Sequence, residues 1–256
     1  IIFSICMAVD AYEPLIEGFL SLNSVNGNPI ASTSPVTLLP GDQIQYKVQV
    51  RNKGNEPVNN VRLEIPLPYA AITYVGSNVN VFPPASTTSV PFVDANAGAN
   101  GTLIWDFGTL PVPSSPNDVL GEVVFALEVS EDCDLFRNYN CAAPEVEING
   151  HISGTGANTG IQVEAQPFYV GFSQSGGCTT EPLLGPLNIN IDSFDWVATN
   201  CAEGDSIRDF FFCNRTTPIP ITDIIGFYPA GTRFFDSTLT VEYTINNPFP
   251  SQPGPV

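Results

Sequence analysis

Apolar and polar residues alternate in two neighbouring stretches, and a short polar turn separates them. The apolar positions are Ile44, Tyr46, Val48 and Val50 in the first stretch and Val61, Leu63 and Ile65 in the second. A period of two is that of a β-strand with one face on a core and the other in water. Gly54 lies in the turn, where glycine can take a positive φ. Residues 42–65 are therefore predicted to form two strands paired as a hairpin.

Five further stretches of the first half are also predicted strands, with turn residues every ten or so positions. The seven predicted strands are Leu15–Leu22, Ile44–Asn52, Val58–Ile65, Ala71–Val75, Thr88–Phe92, Thr102–Phe107 and Glu122–Val129. Seven short strands with this spacing are typical of an immunoglobulin-like sandwich. Trp105 is expected to fill the core between its sheets.

The second half is also rich in predicted strands, and no stretch of the chain has a sustained helical period. Its strands are Glu145–Ile152, Ile161–Phe172, Leu187–Ile191, Asp209–Cys213 and Thr238–Ile245. The predicted fold class is all-β, with two tandem Ig-like β-sandwich domains. We expect residues 1–10 to be a strand or linker continuing from an upstream domain. We expect residues 11–129 to form the first sandwich, and residues 130–256 to form a second, cysteine-containing sandwich that ends in a Pro-rich connector.

The charge is strongly acidic, with 26 acidic residues against 8 basic ones and a net charge of −18. Such a surface repels phosphates, so nucleic acid and anionic lipid are poor partners. Three interpretations stay open: solubility, divalent cation binding, and attraction of a basic partner. No apolar run is long enough to span a membrane.

Six cysteines in a β-rich chain favour an oxidising compartment. Cys133 with Cys141, and Cys201 with Cys213, flank short polar loops, and we expect each pair to form a local disulfide. The sequence leaves open whether Cys6 and Cys178 pair with each other or stay free thiols.

Catalytic chemistry has little support, because a Ser-His-Asp arrangement would depend on His151, the only histidine, which is expected to be exposed or on an edge strand. We therefore expect no enzymatic activity. Calcium is the sharper candidate, since Glu131, Asp132 and Asp134 lie at the predicted domain junction, and Asp192 with Asp195 forms a weaker group. A solvated acidic linker explains the same residues.

Leu39 to Pro68 and Gly101 to Pro111 resemble the DUF11 family, an Ig-like repeat module of very large bacterial surface proteins. The family pattern is an alternating strand ending in Asn-x-Gly, a second strand ending in Pro-x-Pro, and a Trp-containing corner. The matching positions are Asn52, Gly54, Val61, Pro66, Pro68, Trp105, Gly108 and Leu110.

Cys178–Leu187 and Phe227–Asp236 resemble cysteine-containing modules of giant adhesins in gliding bacteria that use type IX secretion. Ser206 and Ser237 lie in Asp-Ser-apolar sequences that are similar to the O-glycosylation acceptor of those bacteria. Both resemblances imply an extracellular, cell-surface location.

The predicted function is that of a structural and adhesive segment of a large secreted protein, which extends, assembles into an appendage or filament, and attaches. Its partners would be other copies or neighbouring domains, in a homo-oligomeric assembly, and extracellular targets. Lys47 and Arg51, on one polar strand face, could meet an acidic neighbour. The alternative is a carbohydrate-binding or accessory module of a secreted hydrolase, with Trp105, Trp196 or Tyr169 as an aromatic platform.

Overall fold

The alternating stretches of the sequence form β-strands in a computed structural model. It describes residues 11–30, 36–132, 135–136, 144–175, 178–192, 233–235 and 242–243. The strands are β1 (Ile16–Val25), β2 (Asn28–Pro29), β3 (Thr37–Leu38), β4 (Gln43–Asn52), β5 (Val58–Pro66), β6 (Thr73–Val81), β7 (Phe92–Asp94), β8 (Thr102–Leu110), β9 (Gly121–Glu128), β10 (Glu145–Ile148), β11 (His151–Gly156), β12 (Gln162–Pro167), β13 (Tyr169–Ser175), β14 (Cys178–Leu184), β15 (Leu187–Ile191), β16 (Phe234–Phe235) and β17 (Glu242–Tyr243). The predicted strand Asp209–Cys213 and most of Thr238–Ile245 lie outside the described residues.

Two large sheets form a sandwich. The first has the order β14-β13-β1-β4-β9-β6, with β2 paired to β1, and the second has the order β12-β11-β5-β8-β7. The inner positions of β4, β5 and β9 are buried, as their alternation predicts. Gly121 in β9 lies directly against the rings of Phe107 and Trp105 in β8, which joins the sheets across the core. The predicted all-β, Ig-like sandwich class is confirmed.

The predicted hairpin over residues 42–65 is wrong. β4 pairs with β1 and β9, whereas β5 pairs with β8 and β11 in the opposite sheet. The turn between them is thus a corner that carries the chain from one sheet to the other. Alternation shows that each strand buries one face, and two such strands can meet across the core as well as side by side.

Strands after residue 130 complete the same sandwich. β11 pairs with β5, and β13 pairs in parallel with β1 through Phe19 and Tyr169. The chain forms two compact units, and the sandwich unit takes in Gln43–Glu128 and Glu147–Asn188. The second unit includes Val129–Val146 and the residues from Ile189 onwards. Two smaller sheets have the orders β10-β15-β3 and β16-β17.

Candidate functional site

Asn52 fixes the corner between β4 and β5 from inside the sandwich. Its side chain is fully buried. The amide Nδ2 donates to the carbonyl oxygens of Glu56 at 2.8 Å, Pro111 at 3.2 Å and Leu110 at 3.3 Å, while Oδ1 accepts from the N–H of Gly54 at 2.9 Å. An amide that uses both its donors and its acceptor in this way supplies structure to the corner and leaves no free group for a ligand.

Glu56 is a buried carboxylate at the same corner. One oxygen accepts from the backbone N–H groups of Asn158 at 2.7 Å and Thr159 at 3.1 Å, and the other accepts from the Thr159 hydroxyl at 2.6 Å. Burial raises the pKa of Glu56, but these three hydrogen bonds outweigh burial and hold the pKa below its usual value. The carboxylate therefore stays charged and ties the corner to the loop between β11 and β12.

The sequence gives no sign of this contact. Glu56 stands in a short polar turn, where a charged side chain is ordinarily exposed. Its partners follow about a hundred residues later in the chain. Gly156 completes the arrangement, since a Cβ there would come within 2.7 Å of the Glu56 carboxylate.

His151 belongs to a polar network on the outer face of the second sheet. Its Nε2 lies 2.7 Å from Oε2 of Glu64. Arg62 then bridges Glu64, at 3.0 Å, to Asp106, at 3.3 Å. The network runs over β11, β5 and β8, so His151 lies on an interior strand and not on an edge. No serine, threonine or cysteine of the described ranges takes part in it, and its ion pairs are those of a solvated sheet face.

Lys47 and Arg51 lie on the outer face of β4, as their alternation predicts. In register, Arg51 is opposite Glu17 of β1, and the neighbouring Gln49 donates to Glu122 of β9 at 3.0 Å. Neither basic side chain forms an ion pair with any residue that the structure describes. An acidic neighbour for this face stays a prediction.

Two shallow clefts lie on the sandwich unit. The larger, of about 340 Å³, is lined by Glu13, Lys53, Gly54, Asn55, Val112, Pro113 and Pro116. The ammonium group in this cleft already has a hydrogen-bond partner, because Lys53 Nζ donates to Oδ1 of Asn117 at 2.8 Å. The smaller, of about 250 Å³, lies beside His151. Neither brings together a set of free polar groups of the kind that orients a small molecule.

The predicted calcium ligands are only partly described. Glu131 and Asp132 are exposed, and the Glu131 carboxylate lies over Gly41, whose φ is +84°. Asp134 and Asp195 lie outside the described residues. Within the described part of the chain, no three histidine, cysteine, aspartate or glutamate side chains come together as a metal site would require. Calcium binding stays a prediction.

The predicted covalent sites cannot be placed on the sandwich. Cys6, Cys133, Cys141, Cys201 and Cys213 all lie outside the described residues, as do Ser206 and Ser237. Cys178 begins β14, with its backbone in register opposite Ser175 of β13. The two disulfides and the glycosylation therefore stay predictions.

Trp105 fills the core between the sheets, which confirms the structural interpretation of this residue. It is 1% exposed and packs edge-to-face on Phe107, with ring centroids 5.1 Å apart. Its Nε1 donates to the carbonyl of Ser89 at 3.3 Å. Trp105 is thus unavailable as a sugar platform, while Trp196 lies outside the described residues.

No protein-family model matches the chain, and no curated protein matches it. Among solved structures it is similar to the full-length major pilin SpaD from Corynebacterium diphtheriae, with 12% identity, 60% of this chain and 33% of that chain covered, and a TM-score of 0.39. Domains D2 and D3 of that pilin match with 13% identity, 60% and 50% coverage and a TM-score of 0.37. A putative membrane anchored protein from the same organism matches with 13% identity, 68% and 39% coverage and a TM-score of 0.30.

The chain spans half or less of each of these structures. The TM-scores are low, so the fold assignment depends on this chain's own strand order and burial. Among the described residues, no helix has the length and apolar character that a membrane crossing requires.

Proposed function

We propose that this chain is a structural, non-enzymatic segment of an extracellular cell-surface protein, which extends, assembles and attaches. The observation that carries the proposal is the position of the motif on which the DUF11 resemblance depends. Asn52, Trp105 and Leu110 are buried, and Gly108 has a φ of +93° that favours glycine. The motif therefore builds the corner and the core of a sandwich, which supports a repeat module and not a reactive site.

The buried polar chemistry of the sandwich supports the same role. Asn52 and Glu56 use their hydrogen-bonding capacity to join chain segments that are far apart in sequence. Such a module would gain affinity from surface contacts repeated along a long protein, in which each extra copy adds avidity. We propose other copies or neighbouring domains as partners, and a DUF11-type adhesin exported by type IX secretion as the parent.

Immunogold electron microscopy tests the location. Antibody against this chain would be applied to intact cells of the source organism, before and after mild external proteolysis. We expect label on the outer surface that proteolysis removes. Label confined to the culture medium would instead favour the accessory module of a secreted hydrolase, and label confined to the cell interior would contradict the proposal.

A further inference from the structure

One margin of the sandwich is built from a stretch without charged residues, although Asn80 in it donates to Oε1 of Glu122 in β9 at 3.2 Å. No charged residue lies between Glu64 and Asp94, which makes residues 65–93 the longest uncharged stretch of this acidic chain. The stretch contains β6, an edge strand of the first sheet, and leads into β7, an edge strand of the second. Residues 82–91 cross between these two edges. We call residues 65–93 the uncharged margin.

Apolar side chains are exposed along the uncharged margin. They are Tyr69, Ile72, Val75, Phe82, Val90 and Phe92. Val90 is 71% exposed and Tyr69 is 65% exposed, values that are ordinary for polar residues in loops and unusual for a group of large apolar ones. Six exposed large apolar side chains within one stretch that joins two sheet edges are typical of an interaction surface.

β6 differs from the other edge strands of the sandwich. β14 carries Glu181 and Pro182, β12 carries Glu164 and Pro167, and β7 is three residues long and ends in Asp94. Charges, prolines and short length are the usual devices that prevent an edge from pairing with another chain. β6 has nine residues and contains neither a charge nor a proline.

The regular part of β6 offers an open ladder. A bulge interrupts its pairing with β9 between Tyr74 and Gly76, and from Ser77 to Val81 the register is continuous. β9 is the only described strand that pairs with β6. The backbone N–H and C=O groups on the far side of Ser77–Val81 therefore face away from the sheet and can pair with a further strand.

We propose that this margin is a dimerisation surface, on which β6 of one molecule pairs in antiparallel fashion with β6 of a second copy. Two identical strands that pair in this way are related by a twofold axis, which closes the assembly. The first sheet would then run continuously through both molecules. The exposed apolar residues of the two margins would be covered at the same time.

The charge distribution points to a second copy as the occupant. A basic partner would be attracted to the acidic remainder of the surface and would gain nothing from an uncharged strip. A partner that is itself at −18 is repelled by most of the surface, and an uncharged margin is where two such molecules can approach. This inference deepens the proposed assembly role by naming the strand and its partner.

Sedimentation velocity of the whole chain tests the proposal, over a range of protein concentrations at low and moderate salt. We expect a monomer–dimer equilibrium that salt strengthens, because screening weakens the repulsion between the acidic copies. Asn78→Glu places a charge on the exposed outer side of β6. Negative charges on both paired strands repel each other and should weaken the dimer about fivefold.

Gln166→Glu is the matched control, because it adds the same charge on the opposite edge strand, β12, where Gln166 is exposed. It should leave the dimer unchanged, and both variants should melt at the wild-type temperature. Hydrogen exchange on the wild type gives a readout without mutation: the amides of Ser77–Val81 that point away from β9 should gain protection as concentration rises.

A chain that stays monomeric at millimolar concentration would overturn the inference, and so would a dimer that both variants weaken equally. A monomeric chain together with surface immunogold label would rule out the β6 dimer without contradicting the proposed function.

Discussion

At the scale of single residues, the described part of the core holds a hydroxyl without a hydrogen-bond partner. Tyr46 is fully buried and stacked on Phe125, and its hydroxyl has no hydrogen-bond partner among the described residues. Burial raises its pKa, because the phenolate is poorly solvated there. Tyr46→Phe should therefore raise the free energy of unfolding by about 1 kcal/mol, since an unpaired buried polar group is removed.

The control is Tyr74→Phe, because the Tyr74 hydroxyl lies 2.8 Å from Oγ of Ser77. That substitution should lower the free energy of unfolding by about 1 kcal/mol. Urea denaturation of both variants measures the difference. Equal losses of stability would show that the Tyr46 hydroxyl is hydrogen-bonded after all.

Glu56 gives the sandwich a dependence on acid. Its pKa is lowered in the folded state, so the stability it contributes is present above the ordinary carboxyl pKa of about 4.3 and is lost as pH falls through the folded value. Glu56→Gln should lower the melting temperature at pH 7. The new amide nitrogen is itself a donor and would face the N–H and hydroxyl donors that bind the carboxylate in the wild type. The difference in melting temperature between the variant and the wild type should become smaller as the pH falls below about 4.

Glu164→Gln removes the same charge from an exposed position of β12 and serves as the control. It should melt close to the wild type over the whole pH range. A difference in melting temperature between Glu56→Gln and the wild type that does not change with pH would contradict stabilisation by the charged carboxylate.

At the scale of elements, Gly54 allows the segment before β1 to close over the corner. A Cβ at Gly54 would overlap the carbonyl oxygen of Glu13 and come within 2.7 Å of the N–H nitrogen of Leu15. Gly54 is thus required for close approach of two backbones, and not for the positive φ that its turn position suggests. Gly54→Ala should cost about 1–3 kcal/mol of unfolding free energy, because backbone must move.

Gly171→Ala provides the comparison, since its Cβ would meet only Leu183, at an ordinary 3.7 Å. It should change the free energy of unfolding by less than about 0.5 kcal/mol. Thermal melts of the two variants decide between the explanations. If the two variants unfold at similar temperatures, the backbone at the corner can move apart without a loss of stability.

At the scale of the whole molecule, the sandwich depends on strands that follow residue 130. Phe168 is fully buried against Gly18 and Gly150, and β11 supplies the second neighbour of β5. A chain of residues 11–129 should therefore lack a cooperative unfolding transition, whereas a chain of residues 11–192 should keep one. Calorimetry of the two chains measures this. A cooperative transition for residues 11–129 would support the domain boundary that the sequence predicts.

Which side chains lie inside could be predicted from the sequence. Val48 and Val50 on β4, and Leu63 and Ile65 on β5, are buried as their alternation requires. Trp105 was likewise expected in the core and lies there. These assignments are local, because a strand places every second side chain on the same face whatever it pairs with.

The partners of each strand could not be predicted in this way. Alternation is the same whether β4 and β5 lie side by side or on opposite sheets, so the corner at Asn52 appeared as a hairpin turn. The burial of Glu56 depends on a loop about a hundred residues away. Its turn therefore looked solvent-exposed.

The amino-acid sequence by itself determined that this is an acidic, all-β chain and which face of each well-patterned strand is buried. The tertiary structure alone decided which sheet each strand joins, that Glu56 is held inside, and that β6 lies at an open edge. The physical reason is one of range. Side-chain alternation is set by the backbone geometry of neighbouring residues, whereas sheet order and edges depend on the packing of segments that are far apart in the chain.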